Sequence, residues 1–585
     1  MSILKKRFSN KKHTYKRNKK TRKIQRGRGD MNPIQEPIPP LPPRQQQPIP
    51  PQQPIPDVPL NQDRIDLSHK NLTVLPPLPD SLRALRCNNN KLNELPPLPN
   101  SLQELVCEVN QLTQLPTLPN SLNILYCQFN QLIKLPTLPN SLQMLRCGKN
   151  KLTELPTLPN SLDVLWCGDN QLTELPTLPN SLIHLKCETN QLTELPTLPN
   201  SLIYLACSSN QLSELHALPN SLDILYCHSN QLTELPILPN SLREFHCGTN
   251  QLTELPALPD SLQELKCQSN KLTELPPLPD SLIHLYCDSN QLTQLPRLPN
   301  SLTHFNCDYN QLTQLYRLPN SLTHFNCDSN QLIQLPTLPN SLEILSCQTN
   351  QLTQLPPLPN SLKSLSCQSN KLTELPTLSH SLNLLSCSFN QLTELPTLPN
   401  TLVNIVCNNC LITQLQTIPS NVYKLECANN PLVSLPLISF IPQRRIKNFK
   451  ITLSFDQAPL LTADNLPQDT IITIEDCNNN ISIKKLKEYN TIWRNIITNN
   501  RLNARFHIKM NALKTKQLLN QEGINSLVFN DRIQSVDNKT KNTLNVLSNK
   551  DVTGYITDFN RGGFRKNKGK KNNTRKKVKK QLHRK

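Results

Sequence analysis

Cysteine is the residue best equipped for chemistry in this sequence. Of 20 cysteines, 18 recur at one spacing, from Cys87, Cys107 and Cys127 onward to Cys427. Thiols can act as nucleophiles, close disulfides or bind metals, and each use needs its own surroundings. A structural metal site needs paired Cys-x-x-Cys clusters. Cys407 and Cys410 form one such pair, with no second pair nearby in sequence. Thiols on strands stacked about 4.8 Å apart stand wider than the usual Cβ spacing of a disulfide. The column therefore reads as free, inward-facing thiols acting as small hydrophobes. Leu67 holds the same slot in the first unit, which fits an apolar position. Reduced thiols in this number point to an intracellular, reducing compartment.

Two further columns carry ionisable groups. His284, His304 and His324 run beside Asp288, Asp308 and Asp328. Within one strand the His and the Asp would lie about 13 Å apart, too far for a catalytic hydrogen bond. A flat row of imidazoles gives poor tetrahedral geometry, and SLTHFNCD occurs twice, so duplication explains the ladder. Glu154, Glu174, Glu194, Glu214, Glu234, Glu254 and Glu274 form a solvated edge along which basic tails could lie. The sequence has no phosphate-binding loop, HExxH motif or nucleophile elbow. No catalytic residue, cofactor site or metal site is expected, and the chain reads as non-enzymatic.

The elements behind these columns follow from a repeat. From Ser81 the chain repeats every 20 residues without insertion, in 17 units such as SLRALRCNNNKLNELPPLPN, residues 81–100. Degenerate units at 61–80 and 421–440 flank them as atypical caps. The Leu85-x-Cys87 stretch alternates as a half-buried strand does, and one strand per turn builds a long parallel sheet. Leu82, Leu92, Leu95 and Leu98 fill the interior. Two prolines within four positions exclude a regular helix on the convex side, which should be extended or polyproline-like. The Asn column from Asn90 to Asn390 should pair with backbone groups that the turning chain leaves unpaired; Cys410 and Lys70 interrupt it. Asn100-Ser101 marks a turn.

The pattern Leu82-x-x-Leu85-x-Cys87-x-x-Asn90-x-Leu92 fits the leucine-rich-repeat template. With Leu95-Pro96-x-Leu98-Pro99 it resembles the short repeats of bacterial YopM/IpaH-type effectors and leucine-rich-repeat proteins of giant viruses. That resemblance implies a leucine-rich-repeat solenoid of about 19 units over 61–440. It implies a parallel β-sheet on the concave side and little helix. In IpaH-type effectors the array is joined to a ubiquitin-ligase domain with a Cys-x-Asp nucleophile motif. Here the one candidate, Cys477, is followed by Asn478 and Asn479, so an effector-type ligase is the least favoured reading.

The fourth, sixth and eighth residues of each unit face outward and vary. Repeat proteins use that surface for binding. Tyr, Trp and Arg are enriched at binding hot spots. Tyr126, Arg146, Trp166, Lys186, Tyr204, Tyr226, Lys266 and Tyr286 are the candidate contacts for a protein partner across residues 121–300, with Arg146, Lys186 and Lys266 expected to pair its acids.

The segments around the array have other chemistry. Residues 1–30 carry 13 Lys/Arg and one acid, and residues 561–585 carry 13 Lys/Arg and none. Of the net charge of +20, the tails hold +12 and +13, so the rest is 20 − 25 = −5. Both read as disordered basic tails that could hold nucleic acid weakly and without sequence preference. Residues 31–60 are a Pro/Gln-rich linker, within which Pro39, Pro42 and Arg44 resemble an SH3 ligand. Residues 441–560 read as a small α+β region, with a hairpin in 471–486 and amphipathic helices in 487–521. No apolar run approaches a membrane span, and the first residues lack the apolar core of a secretory signal.

Overall fold

In the unit 81–100, Leu85 and Cys87 have no exposed surface while Arg86 between them is exposed. That alternation is what makes the stretch a strand. The computed structural model describes residues 63–434, 450–453, 471–474 and 480–482. Its strands, numbered β1–β22 in chain order, form one sheet. Beginning with β1 (Arg64–Asp66) and β2 (Ala84–Arg86), a three-residue strand recurs at the same place in each unit up to β19 (Lys424–Glu426). Neighbouring strands are parallel and in register, unit position upon unit position, as in Leu85↔Leu105 and Leu145↔Leu165.

The interior lies behind the sheet. Leu82 and Leu92 are fully enclosed, and Leu95 and Leu98 close the far side. Phe245, Phe305 and Phe325 replace the strand Leu in three units, and the last two stack at 5.5 Å. Full burial of a leucine contributes about 1.5–3 kcal/mol. A lone unit would leave these side chains open above and below, so stability comes from the stack.

The return path behaves as its prolines dictate. Residues 95–99 form no helix, and none is present among the described residues. The chain turns at Asn100-Ser101, where the Leu102 N–H donates to Pro99 O at 3.1 Å. From Ser101 to Ser361 the turn serine ties itself to the preceding unit, as where Ser121 Oγ donates to Leu102 O at 2.7 Å.

Two columns fasten one unit to the next. Asn110 Oδ1 accepts the Leu92 N–H at 3.0 Å, while its Nδ2 donates to Cys87 O at 3.0 Å and Cys107 O at 3.1 Å. The expected pairing of the Asn column with backbone groups is therefore present, and it joins adjacent units. Cys410 imitates it with a thiol that donates to Cys387 O at 3.4 Å. The residue just before the Asn is left-handed in every unit from Asn89 to Asn429, with φ 56° at Asn89. This bend takes the chain off the strand. Val109, also at φ 56°, adopts it despite its branched side chain.

The sheet outlasts the period. β20 (Lys450–Leu453) adds to β19 in parallel, β21 (Ile471–Ile474) follows in parallel, and β22 (Asn480–Ser482) pairs antiparallel with β21. The last pair is the hairpin expected in 471–486. The helices expected in 487–521, both basic tails, the Pro39–Arg44 motif and Cys477 lie outside the described residues.

Candidate functional site

The inward thiols are chemically quiet. All nineteen cysteines among the described residues are buried, and those from Cys87 to Cys410 are free thiols. Burial pushes the Cys87 and Cys147 thiols up to about 12, and Cys107 well above its ordinary value. A nucleophile or metal ligand has to be a thiolate, which this environment disfavours. Among the described residues no group of three or more His, Cys, Asp or Glu is arranged to hold a metal.

The outward face is built differently. In parallel strands, the sixth-position residue of one unit lies beside the same position of the next: Tyr126↔Arg146↔Trp166↔Lys186. The Arg146 guanidinium is 4.4 Å from the Tyr126 ring centroid and 3.7 Å from that of Trp166. Lys186 Nζ is 4.4 Å from the Trp166 centroid and 5.1 Å from that of Tyr204. Tyr204 meets Tyr226 edge-on at 5.7 Å, and Tyr226 stacks on His246 at 4.2 Å. Seven side chains thus form one unbroken run of cation–π and ring contacts. Burial raises the Tyr204 hydroxyl to about 12, so it remains a neutral donor.

Further along, acids from the fourth position enter the run. Tyr226 Oη donates to Glu244 at 2.7 Å. Glu264 receives Lys266 at 2.5 Å, His246 at 3.0 Å and His284 at 3.2 Å. Burial works to raise the Glu264 carboxyl, but hydrogen bonds from Lys266 and His284 outweigh it and hold the group down to about 2. Burial also lowers His246, aided by Lys266, so its link to Glu264 is a neutral imidazole N–H donating to a carboxylate. Lys266 was expected to meet a partner's acid; the structure gives it an internal one. It also lies 5.4 Å from the Tyr286 ring centroid.

Tyr226 reaches Glu244, and His246 reaches Glu264, on the diagonal from position six of one unit to position four of the next, while Lys266 reaches Glu264 within its own strand and His284 reaches it straight across. Tyr226–Glu244, His246–Glu264, Arg86–Glu104 and Tyr126–Met144 all share a separation of 18 residues. Aligning the units and scanning that diagonal for a hydrogen-bond donor opposite a carboxylate would have found them.

The His and Asp ladders stay apart, and among the described residues no hydrogen bond joins one to the other. His284 and His304 meet edge-on at 4.7 Å, and His304 stacks on His324 at 4.2 Å. Asp308 accepts the Asp328 N–H at 2.5 Å. Burial, with the nearby Asp328 charge, pushes its carboxyl up to about 7. The Glu column at 154–274 is exposed, as expected.

A stacked parallel sheet, an interior of Leu and Cys, an Asn fastening and extended returns define a leucine-rich-repeat protein of the short-unit kind. Among solved structures, YopM from Yersinia enterocolitica WA-314 is 37% identical, covers 65% of this chain and 90% of its own, and superposes with a TM-score of 0.60. YopM from Yersinia pestis is 36% identical over 58% of this chain and 87% of its own, TM-score 0.46. A Shigella effector leucine-rich-repeat domain is 36% identical over 26% of this chain and 71% of its own, TM-score 0.25. On the first of these similarities, the chain belongs to the YopM family of leucine-rich-repeat proteins. No protein-family model and no curated protein matches it.

Proposed function

We propose that this protein is a non-enzymatic interaction scaffold whose protein partner docks on the outer face of the sheet across residues 121–300. The observation that carries this reading is the continuous run from Tyr126 to His246, whose rings and cations hold one another in place. Ordering side chains costs free energy on association, and a surface already ordered loses less. The buried, reduced thiols fit a reducing intracellular compartment. Among the described residues no helix is long and apolar enough to cross a membrane.

The test uses the full chain as bait. Trp166→Ala and Tyr226→Ala should each weaken a purified partner at least about tenfold, as hot-spot truncations do. Unchanged affinity in both variants refutes the site.

A second reading rests on the charge of +12 in residues 1–30 and +13 in residues 561–585. Through them the chain would bind nucleic acid non-specifically, with affinity that rises steeply as salt falls. Deleting both segments should abolish retention on a DNA column; retention by the truncated chain rules this out.

A further inference from the structure

The outward ladder has two halves of different charge chemistry. In the later half, Lys266, His246 and His284 converge on Glu264. In the earlier half, Arg146 and Lys186 stand on either side of Trp166, and neither forms an ion pair among the described residues. Both rest on aromatic faces, and the Lys186 charge is also felt by Glu188.

The same place holds three enclosed polar atoms without a hydrogen bond: Arg146 Nε, Trp166 Nε1 and Glu188 Oε2. Enclosed polar groups that stay unpaired are costly, so an occupant that pairs them is favoured. Two are donors and one is an acceptor. Glu188 lies against Gly168, where an added Cβ would come within 2.9 Å of its Cδ. Arg146 and Trp166 lie on adjacent strands, Arg146 over the indole, and Glu188 follows the next strand and packs on Gly168, two residues after Trp166.

The donor set selects the occupant. A guanidinium and an ammonium over an indole ring whose N–H is unpaired match a flat, two-oxygen anion, which a carboxylate is. A phosphate would satisfy the cations but would press a further charged oxygen toward Glu188. A peptide instead brings a backbone N–H close to its acidic side chain. Arg146 and Trp166 are half-buried at the solvent face, so small rotations within the stack bring their N–H groups to an arriving ligand. We propose, resting on the docking reading above, that Arg146, Trp166 and Lys186 seat the carboxylate of an Asp or Glu on an extended peptide partner, while Glu188 accepts a backbone N–H of the same segment.

The test starts from random dodecapeptides displayed on phage and selected on the full-length protein. Selected peptides should carry an Asp or Glu whose replacement by Asn or Gln weakens binding about tenfold or more in fluorescence anisotropy. Arg146→Gln and Lys186→Gln should each shrink the difference between acid and amide peptides, and Lys91→Gln, exposed outside residues 121–300, should preserve it. Circular dichroism of each variant confirms that it folds. Equal binding of acid and amide peptides, or an undiminished difference in both Arg146→Gln and Lys186→Gln, overturns the slot. Competition by millimolar inorganic phosphate as complete as by the acidic peptide overturns the peptide assignment. Neutral peptides lost in Trp166→Ala overturn the acidic slot and leave the docking face standing. Peptides indifferent to both Trp166→Ala and Tyr226→Ala, or no selected peptide at all, overturn both.

Discussion

Removing one asparagine from the middle of the array tests the architecture most directly. Asn210 is 9% exposed. Its Oδ1 accepts the Leu192 N–H at 3.1 Å, and its Nδ2 donates to Cys187 O at 3.0 Å and Cys207 O at 3.1 Å. Asn210→Ala strands one backbone donor and two acceptors inside the solenoid. Each stranded group costs about 1–3 kcal/mol, so the substitution should cost about 3–5 kcal/mol locally, after partial relaxation. Gln211, exposed on the same unit, is the control: Gln211→Ala should stay within about 0.5 kcal/mol. Units interact only with their neighbours, so the damage should be regional. Native-state hydrogen exchange is the suitable assay, because it reads local opening amide by amide. The Leu192 amide and those of the two adjoining units should exchange faster in Asn210→Ala, while amides near Leu345 should not change. Wild-type protection at Leu192 would refute the claim that the asparagine amide fastens unit to unit.

Two other expectations follow from single positions. Val109 holds φ 56°, a conformation that costs an L-residue about 1–2 kcal/mol, and Asn holds the equivalent place at 89, 409 and 429. Val109→Asn should therefore stabilise the chain by about 1 kcal/mol in urea unfolding, and an equal or lower midpoint would contradict the strain. Asp308 titrates near 7 in the folded chain against an ordinary 3.8, so the folded state binds the extra proton between those values. Stability should then fall as pH rises from about 4 to about 7, and the penalty should be fully present above 7. The carboxyl is partly solvated, so screening limits the effect to roughly 1–2 kcal/mol. Asp308→Asn should remove that part of the slope, and parallel stability–pH curves for the two proteins would refute it.

The sequence alone determined which way each residue faces. A strand alternates with period two and a turn needs particular residues, so one unit of 20 residues already places Leu85 and Cys87 inside, Arg86 outside, Asn90 at a fastening point and Ser101 at a turn. Repetition then settled the solenoid, because no unit can cover its own apolar side. The hairpin that joins β21 to β22 was legible for the same local reason. The outward contacts were not. Lys266 and Arg146 both read as cations for a partner's acids, yet Glu264 sits beside Lys266, and Tyr126 and Trp166 cover the guanidinium of Arg146. A long side chain meets whichever neighbour the lateral stacking of strands and its own lean bring within reach. That reach runs within one strand for Lys266 and Glu264, straight across in steps of 20 for Arg146 and its two rings, and along an 18-residue diagonal for Tyr226 with Glu244 and His246 with Glu264. Which way a residue faces is fixed by the backbone of its own unit, and what it touches there depends on the unit stacked beside it.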